Sequence, residues 1–151
     1  MKRILLLFSV CLLLASPTIA PRAFAQTAAE METLLSTAAL SYEQAASFVL
    51  RAADIPVSGS AFNYAAEQKW LSVKAAPDGI AALNEVSLLI MRAFGIKGGI
   101  MYSAVKSPHY AYRELVYQGI IQGRTDPDLA VSGDLLFFLI GKVLDRIEGE
   151  L

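Results

Sequence analysis

An internal similarity constrains the fold of this 151-residue chain more than any other feature of its sequence. Shifted by 50 positions, residues 60–95 align without a gap onto the stretch that begins at Tyr110. A shift of 41 positions relates residues 48–55 to residues 89–96 in the same way. Repeats of this length bury their apolar faces against one another, so the chain is predicted to fold as packed copies of one unit. The clearest matches are Ala61 with Ala111, Phe62 with Tyr112, Trp70 with Ile120, Leu71 with Ile121, and Pro77-Asp78 with Pro127-Asp128.

Apolar residues at helical spacing predict that these units are helical. The closing helix of each copy is expected near residues 41–54, 82–95 and 132–147, and a further helix is expected from about Ala28. Ser41 opens the first closing helix with the S-x-x-Q pattern of a capping box, and Pro56 ends it near Asp54. Ser132 is the expected cap of the last closing helix.

Two shorter helices are predicted before the second and third closing helices. Ser60 caps the first of them, whose apolar face is expected at Phe62, Ala66 and Trp70. Ser107 and Pro108 open the other, and Gly119 allows it to end in a left-handed conformation. The stretch from Lys97 to Ser107 is predicted to be a loop folded back onto the core.

The last closing helix has an unusually broad apolar surface, from Leu135 to Ile147. A helix that is apolar nearly all round is usually buried on several sides, which favours a central position in the core. The alternative is that one side of this helix binds a partner.

The start of the chain has the pattern of a secretory signal peptide. Lys2-Arg3 precedes an apolar run at residues 4–14, and Ala23-Phe24-Ala25 has the small-x-small form of a cleavage site. Cleavage is expected after Ala25, with Ala20 as the alternative, so residues 1–25 are the signal peptide and 26–151 form one domain. The apolar run is too short to span a membrane, so no transmembrane helix is expected in the mature chain. The surroundings of Cys11 do not favour a lipid anchor.

Charge and cysteine content argue against a nucleic-acid-binding protein and against a protein stabilised by disulfides. The predicted mature chain has ten basic residues, three fewer than the 13 of the whole chain, against 14 acidic residues. Nucleic-acid binding needs clustered positive charge, so we expect no nucleic-acid partner. Cys11 is the only cysteine, so the mature chain has no disulfide and depends on its core for stability.

The last copy resembles the S-layer homology (SLH) module. Residues 115–123, which read LVYQGIIQG, are similar to the L…GII.G segment of that family, and Val131-Ser132 stands where its I-T-R-x-E motif begins. The resemblance implies an all-α helical bundle of two to three SLH-like helix–loop–helix repeats, with grooves that bind cell-wall polysaccharide. The arginine of the motif is replaced in all three copies, by Tyr42, Leu83 and Gly133. The motif's glutamate positions hold Gln44, Glu85 and Leu135.

No catalytic or metal-binding motif accompanies this pattern. His109 is the only histidine, and no second His or Cys in the mature chain could complete a zinc site. Asp126 and Asp128 have part of the spacing of a calcium loop, without its glycine and final glutamate. We therefore expect no enzyme activity, no metal and no cofactor.

Six residues are candidates for binding. Trp70, Lys74 and Arg124 could contact a glycan. The indole of Trp70 can stack on a sugar ring, and Lys74 and Arg124 occupy equivalent positions when the sequence is shifted by 50 residues. The alternatives are a core position for Trp70 and solvated loop charges for the cations. Tyr102, Tyr110 and Tyr112 cluster in sequence near Gly98-Gly99, and could form a protein-recognition surface or the edge of the core.

These patterns predict an exported, non-catalytic interaction or scaffolding module of the periplasm or cell envelope, with an envelope protein as its partner. The alternative is an anchor that binds cell-wall glycan or peptidoglycan through grooves between the repeats.

Overall fold

The computed structural model describes residues 20–123 and 125–149, with side chains from residue 28 onward. Within these ranges it has seven α-helices and no strand, which confirms the all-α prediction. Two isolated antiparallel bridges join Ser41 to Ile80 and Ala82 to Ala130. The helices are α1 (Ala20–Ser36), α2 (Tyr42–Ala52), α3 (Ala61–Glu67), α4 (Leu83–Ala93), α5 (Ile100–Val105), α6 (Pro108–Tyr117) and α7 (Gly133–Gly149).

The chain divides into two compact units between Glu32 and Thr33, and the candidate sites all lie in the second. The first helix was expected from about Ala28, but α1 already begins at Ala20. Its first residues include Pro21, which is tolerated in a first helical turn, followed by several alanines. Arg124 and residues 1–19, which contain Cys11 and most of the predicted signal peptide, lie outside the described residues.

The predicted helix caps are present at three of four serines. The Ser41 hydroxyl accepts from the Gln44 N–H at 3.2 Å, while the Ser41 N–H donates to Gln44 Oε1 at 2.9 Å, which completes the capping box. Ser60 accepts from Asn63 N–H at 3.1 Å, and Ser132 accepts from Leu135 N–H at 3.2 Å. Ser107 occupies the N-cap of α6 without a side-chain hydrogen bond.

Helices α3 and α6 end in the same way. Gly119 follows α6 with φ of 73°, and Lys69 follows α3 with φ of 58°. The next residue then turns back, so that Trp70 N–H donates to Ala65 O at 2.8 Å and Ile120 N–H donates to Leu115 O at 2.9 Å. Glycine takes this left-handed conformation at little cost, whereas Lys69 adopts it with a side chain.

Three residues just before the closing helices form a closed ring of main-chain hydrogen bonds. Leu40 N–H donates to Val131 O at 2.8 Å, Val131 N–H donates to Ala81 O at 2.9 Å, and Ala81 N–H donates to Leu40 O at 2.8 Å. All three residues are fully buried, so each main-chain group satisfies another that water cannot reach. We call this arrangement the three-way ring.

Helix α4 occupies the centre of the fold. It packs against α2 and α6, and every residue from Val86 to Met91 is buried. The sequence had favoured α7 for this position, and that prediction was wrong. Leu136, Leu139, Ile140 and Val143 of α7 are buried, but Phe137, Phe138 and Leu144 are exposed.

Two further predictions were wrong in detail. The buried face of α3 contains Ala65 instead of Ala66, and the helix ends before Trp70. The predicted loop from Lys97 to Ser107 contains the helix α5, which the two preceding glycines had obscured. Helix α5 forms because its Tyr102 side chain is buried against the rest of the unit, and tertiary packing overrides the weak local propensity.

Candidate functional site

Three large apolar side chains are exposed on α7, alongside exposed charged residues. Phe137 is 51 % exposed, Phe138 44 % and Leu144 39 %, and together they define the α7 apolar face. The Phe137 ring lies 6.4 Å from that of Phe48 on α2, and Lys142 Nζ lies 5.7 Å from the centre of the Phe138 ring. Single exposed apolar residues are ordinary, but aromatic groups adjacent on one helix are typical of an interaction surface.

A second feature is a cavity of about 370 Å³ between the C-terminal end of α4 and helix α5, which we call the α4–α5 pocket. Three cationic residues line it: Arg92 from α4, Lys97 from the connecting loop and Lys106 from the end of α5. Tyr102 and Gly98 also line the cavity. A Cβ on Gly98 would lie 2.4 Å from Tyr102 Cδ1, so only glycine lets the loop pack this closely on the tyrosine ring.

The loop beside the pocket is held from α6. Glu114 Oε2 accepts from Gly99 N–H at 2.9 Å, and Gln118 Nε2 donates to Lys97 O at 3.0 Å and to Glu114 Oε1 at 2.8 Å. Burial raises the pKa of the Tyr102 phenol; nearby Arg92 lowers this pKa and Glu114 raises it. The Tyr102 hydroxyl therefore stays protonated and neutral, and the pocket keeps its cationic character.

Sequence reasoning missed the α4–α5 pocket, although the sequence contains a signal for it. Residues 86–113 include Arg92, Lys97, Lys106 and Arg113 and contain no Asp or Glu. The whole chain, by contrast, has a net charge of −1. The charges are spread along one helix, a loop and a second helix, so only the fold reveals that three of them line one cavity.

Two of the three predicted glycan-binding residues, Trp70 and Lys74, lie in the connection between α3 and α4. Trp70 is half-buried, and its ring makes an edge-on contact with Tyr64 at 5.9 Å between ring centres. Lys74 is exposed, whereas Arg124 lies outside the described residues. Neither Lys74 nor Trp70 lines the α4–α5 pocket, and their role in glycan binding stays a prediction.

The three tyrosines of the predicted protein-recognition surface have different environments. Tyr102 is only 6 % exposed and lines the α4–α5 pocket. Tyr112 is half-buried, and its hydroxyl donates to the Thr125 carbonyl oxygen, which holds the following connection in place. Tyr110 is half-buried beside His109, with 5.3 Å between ring centres. Tyr117, the fourth tyrosine of this stretch of sequence, is 87 % exposed.

The three positions that the predicted SLH resemblance aligns with arginine all lie inside the fold. Leu83 and Gly133 are buried, as is Tyr42, whose hydroxyl accepts from Ala82 N–H at 3.4 Å. Burial raises the pKa of the Tyr42 phenol, the hydrogen bond from Ala82 opposes this shift, and Glu85 and Asp128 reinforce it. Tyr42 is therefore a neutral core residue, and no cation stands at any of the three positions.

One half-buried carboxylate has a structural role. Glu43 on α2 accepts from the Ser60 hydroxyl at 2.5 Å, from Ala61 N–H at 2.9 Å and from Phe62 N–H at 3.0 Å. Burial raises the pKa of Glu43, but the hydrogen bonds from Ser60, Phe62 and Ala61 together outweigh it, so the pKa lies below its usual value. The carboxylate thus joins α2 to the first turn of α3, where free N–H groups favour an anion.

Among residues 20–123 and 125–149, no three His, Cys, Asp or Glu side chains are grouped so that they could hold a metal ion. None of the described helices has both the length and the apolar character that a membrane crossing requires. Comparison of the chain with protein-family models, curated proteins and solved structures found no match.

Proposed function

We propose that this protein is an exported, non-catalytic interaction module of the cell envelope, which binds a partner protein through the α7 apolar face. The observation that carries the proposal is the exposure of Phe137, Phe138 and Leu144 on a helix whose opposite side is built into the core. Contact with an apolar surface of a partner would remove these half-exposed side chains from water, and burial of the remaining surface of each contributes about 1 kcal/mol.

The position of the face also suits a scaffold. The buried residues Leu139, Ile140 and Val143 fix α7 in the core, so its exposed aromatic side chains are presented on a rigid support. Rigid presentation reduces the ordering cost of binding, which favours specific association. Asp134 and Asp145 are also exposed on this helix, about one turn before and two turns after Phe138, where they can stay in contact with water.

We also propose that the second unit consists of divergent SLH-like repeats. The three-way ring supports this proposal, because Leu40, Ala81 and Val131 are related by the same shifts of 41 and 50 positions that align the sequence. A pair of equivalent hydrogen bonds supports it further. Tyr42 N–H donates to Gly79 O at 3.0 Å, and Leu83 N–H donates to Leu129 O at 2.9 Å. The two donors are related by the shift of 41 positions and the two acceptors by the shift of 50. The buried positions of the former arginine motif favour protein binding over the alternative of glycan anchoring.

Site-specific photo-crosslinking from the α7 apolar face tests the proposed function. A photoreactive phenylalanine analogue replaces Phe137 or Phe138 in the full-length chain, which is produced in its own cells and irradiated. The matched control carries the same analogue at Asn63, an exposed position on α3. We expect one discrete adduct with an envelope protein from positions 137 and 138, and none from position 63.

The identity of the adduct decides the outcome. The proposal requires that the cross-linked protein, purified separately, binds the wild-type chain and loses binding to Phe138→Asp. Equal cross-linking from Asn63 and the α7 positions would overturn it. An adduct of two copies of this chain would also overturn it and would identify the face as a self-association surface.

A further inference from the structure

We propose that the α4–α5 pocket binds a small molecule that carries a phosphate or carboxylate group. The site shares no residue with the α7 apolar face, so this proposal goes beyond the partner-binding role and does not depend on it. Its basis is the convergence of three cationic residues, Arg92, Lys97 and Lys106, on one cavity of about 370 Å³. That size lies within the range of small-molecule sites in proteins.

Within the described residues, the three cations of the pocket are not held in ion pairs. In the part of the chain that the structure describes, no carboxylate forms an ion pair with Arg92, Lys97 or Lys106. Glu114, the acidic residue that holds the adjoining loop, is engaged by Gly99 N–H and by the Gln118 amide. Three like charges in one concavity repel one another, and an anionic ligand relieves that repulsion while the concave shape concentrates the field.

The residue types fit oxyanion recognition. Arg92 offers a planar guanidinium with several donors, and the two lysines add ammonium groups that can approach from the loop and from α5. Tyr102 adds an aromatic wall that can pack against the carbon skeleton of a ligand. The site therefore has charged donors for one end of a small molecule and an apolar surface for the rest.

The pocket is also preformed. Hydrogen bonds from α6 to Lys97 O and Gly99 N–H fix the loop on one side, and the close packing of Gly98 on Tyr102 fixes it on the other. A cavity whose walls are held without ligand loses little conformational entropy on binding.

A membrane surface is a less suitable occupant. Helix α5 exposes Ile100, Met101 and Val105, which could enter a lipid layer. Ile100, the most exposed of them at 88 %, lies about 160° around the helix axis from Tyr102, which lines the pocket. The most exposed apolar side chain of α5 and the pocket therefore face different directions, and one flat surface would not engage both. A small anion needs the pocket alone.

Isothermal titration of the full-length chain tests the proposal with three probes: sodium pyrophosphate, sodium citrate, and vesicles of equal parts phosphatidylglycerol and phosphatidylcholine. We expect one site for pyrophosphate or citrate with a Kd of about 1 mM or tighter, weakened by added sodium chloride. Lys97→Ala and Lys106→Ala should each weaken binding about tenfold. Lys74→Ala, which removes an exposed lysine elsewhere, is the matched control and should leave the Kd unchanged.

Each result decides the question, provided that circular dichroism shows every variant folded. Binding of pyrophosphate, citrate or both that depends on Lys97 and Lys106 and not on Lys74 supports the proposal and shows which oxyanion is preferred. Absence of binding to both soluble probes overturns it, as does an equal loss with Lys74→Ala. Lysine-dependent binding of the vesicles alone also overturns it, because the pocket would then serve membrane attachment.

Discussion

The α-carbon of Gly133 lies so close to Leu34 that a Cβ on the glycine would stand 1.7 Å from the Leu34 carbonyl oxygen. The Gly133 N–H also donates to Thr37 O at 2.9 Å, so the start of α7 is fixed to the segment that follows α1. In the proposed SLH resemblance, Gly133 aligns with the arginine of the motif. The close main-chain contact is the physical reason why no side chain stands there.

Substitution of Gly133 by Ala is expected to destabilise the protein by about 3 kcal/mol or more, because the main chain of Leu34 cannot move aside without disturbing the core. Gly141→Ala is the matched control in the same helix, since a Cβ there meets nothing within 4 Å. The control should be neutral or stabilise α7 by up to about 1 kcal/mol. Urea denaturation measures both, and equal effects would contradict the contact.

The helix caps predict that substitution of two serines has different effects on the stability of the protein. Ser41→Ala removes a side-chain acceptor from the first turn of α2 and should cost about 1 kcal/mol of unfolding free energy. Ser107→Ala should cost less than about 0.5 kcal/mol, because Ser107 makes no side-chain capping bond at α6. Thermal or urea denaturation distinguishes the two; a larger loss for Ser107 would show that its hydroxyl has a partner in solution.

The lowered pKa of Glu43 predicts that the stability of the protein depends on pH. Its folded-state pKa lies below the usual value of 4.5, so the ionised carboxylate stabilises the fold above that value. The contribution is lost as the pH falls from about 4.5 through the lower folded-state pKa. Glu43→Gln should therefore lower stability by about 1 kcal/mol at pH 7 and much less at pH 3.

The control for this measurement is Glu67→Gln, which removes a carboxylate from the exposed end of α3 without touching the Glu43 contacts. Denaturant unfolding is measured for both variants across the same pH series. If the Glu43→Gln difference stayed constant down to pH 3, the carboxylate would not be the group that stabilises the start of α3.

The anchoring alternative makes a separate prediction. Tyr42, Leu83 and Gly133 are buried at the positions that the proposed SLH resemblance aligns with arginine. We therefore expect that polysaccharide attached to cell-wall sacculi does not increase the fraction of the protein that sediments with them. The sedimented fraction is measured with and without that polysaccharide. Polysaccharide-dependent sedimentation would restore the glycan hypothesis, and loss of it in Lys74→Ala or Arg124→Ala would locate the groove.

Export predicts a defined mature mass. If residues 1–25 are a signal peptide, the protein recovered from the envelope fraction begins at Gln26, and intact-mass spectrometry detects the difference directly. Replacement of Ala25 by Arg should block cleavage and retain the longer chain. A mature chain that begins at Met1 in the cytoplasmic fraction would contradict both the export and the envelope location.

Local signals in the sequence predicted most helix boundaries. The capping box at Ser41, Pro108 at the start of α6 and the left-handed Gly119 act within a few residues, so they require no knowledge of the fold. Helix α5 was missed because Gly98-Gly99 masks its start, and only the burial of Tyr102 stabilises so short a helix.

The candidate sites depended much more on the tertiary structure. The aromatic residues of α7 were visible in the sequence, but whether Phe137 and Phe138 face the core or water depends on which helices pack around them. The cations Arg92, Lys97 and Lys106 are separated along the chain and meet only because α5 folds back beside the end of α4.

The sequence alone therefore determined the all-α class and the caps that begin and end the helices, because hydrogen-bonding and steric preferences of the main chain are local. Only the tertiary structure decided that α4 and not α7 is central, that Leu40, Ala81 and Val131 meet in one ring, and that three cations share a cavity. These features depend on contacts between residues distant in sequence, and burial is a property of the whole packed unit.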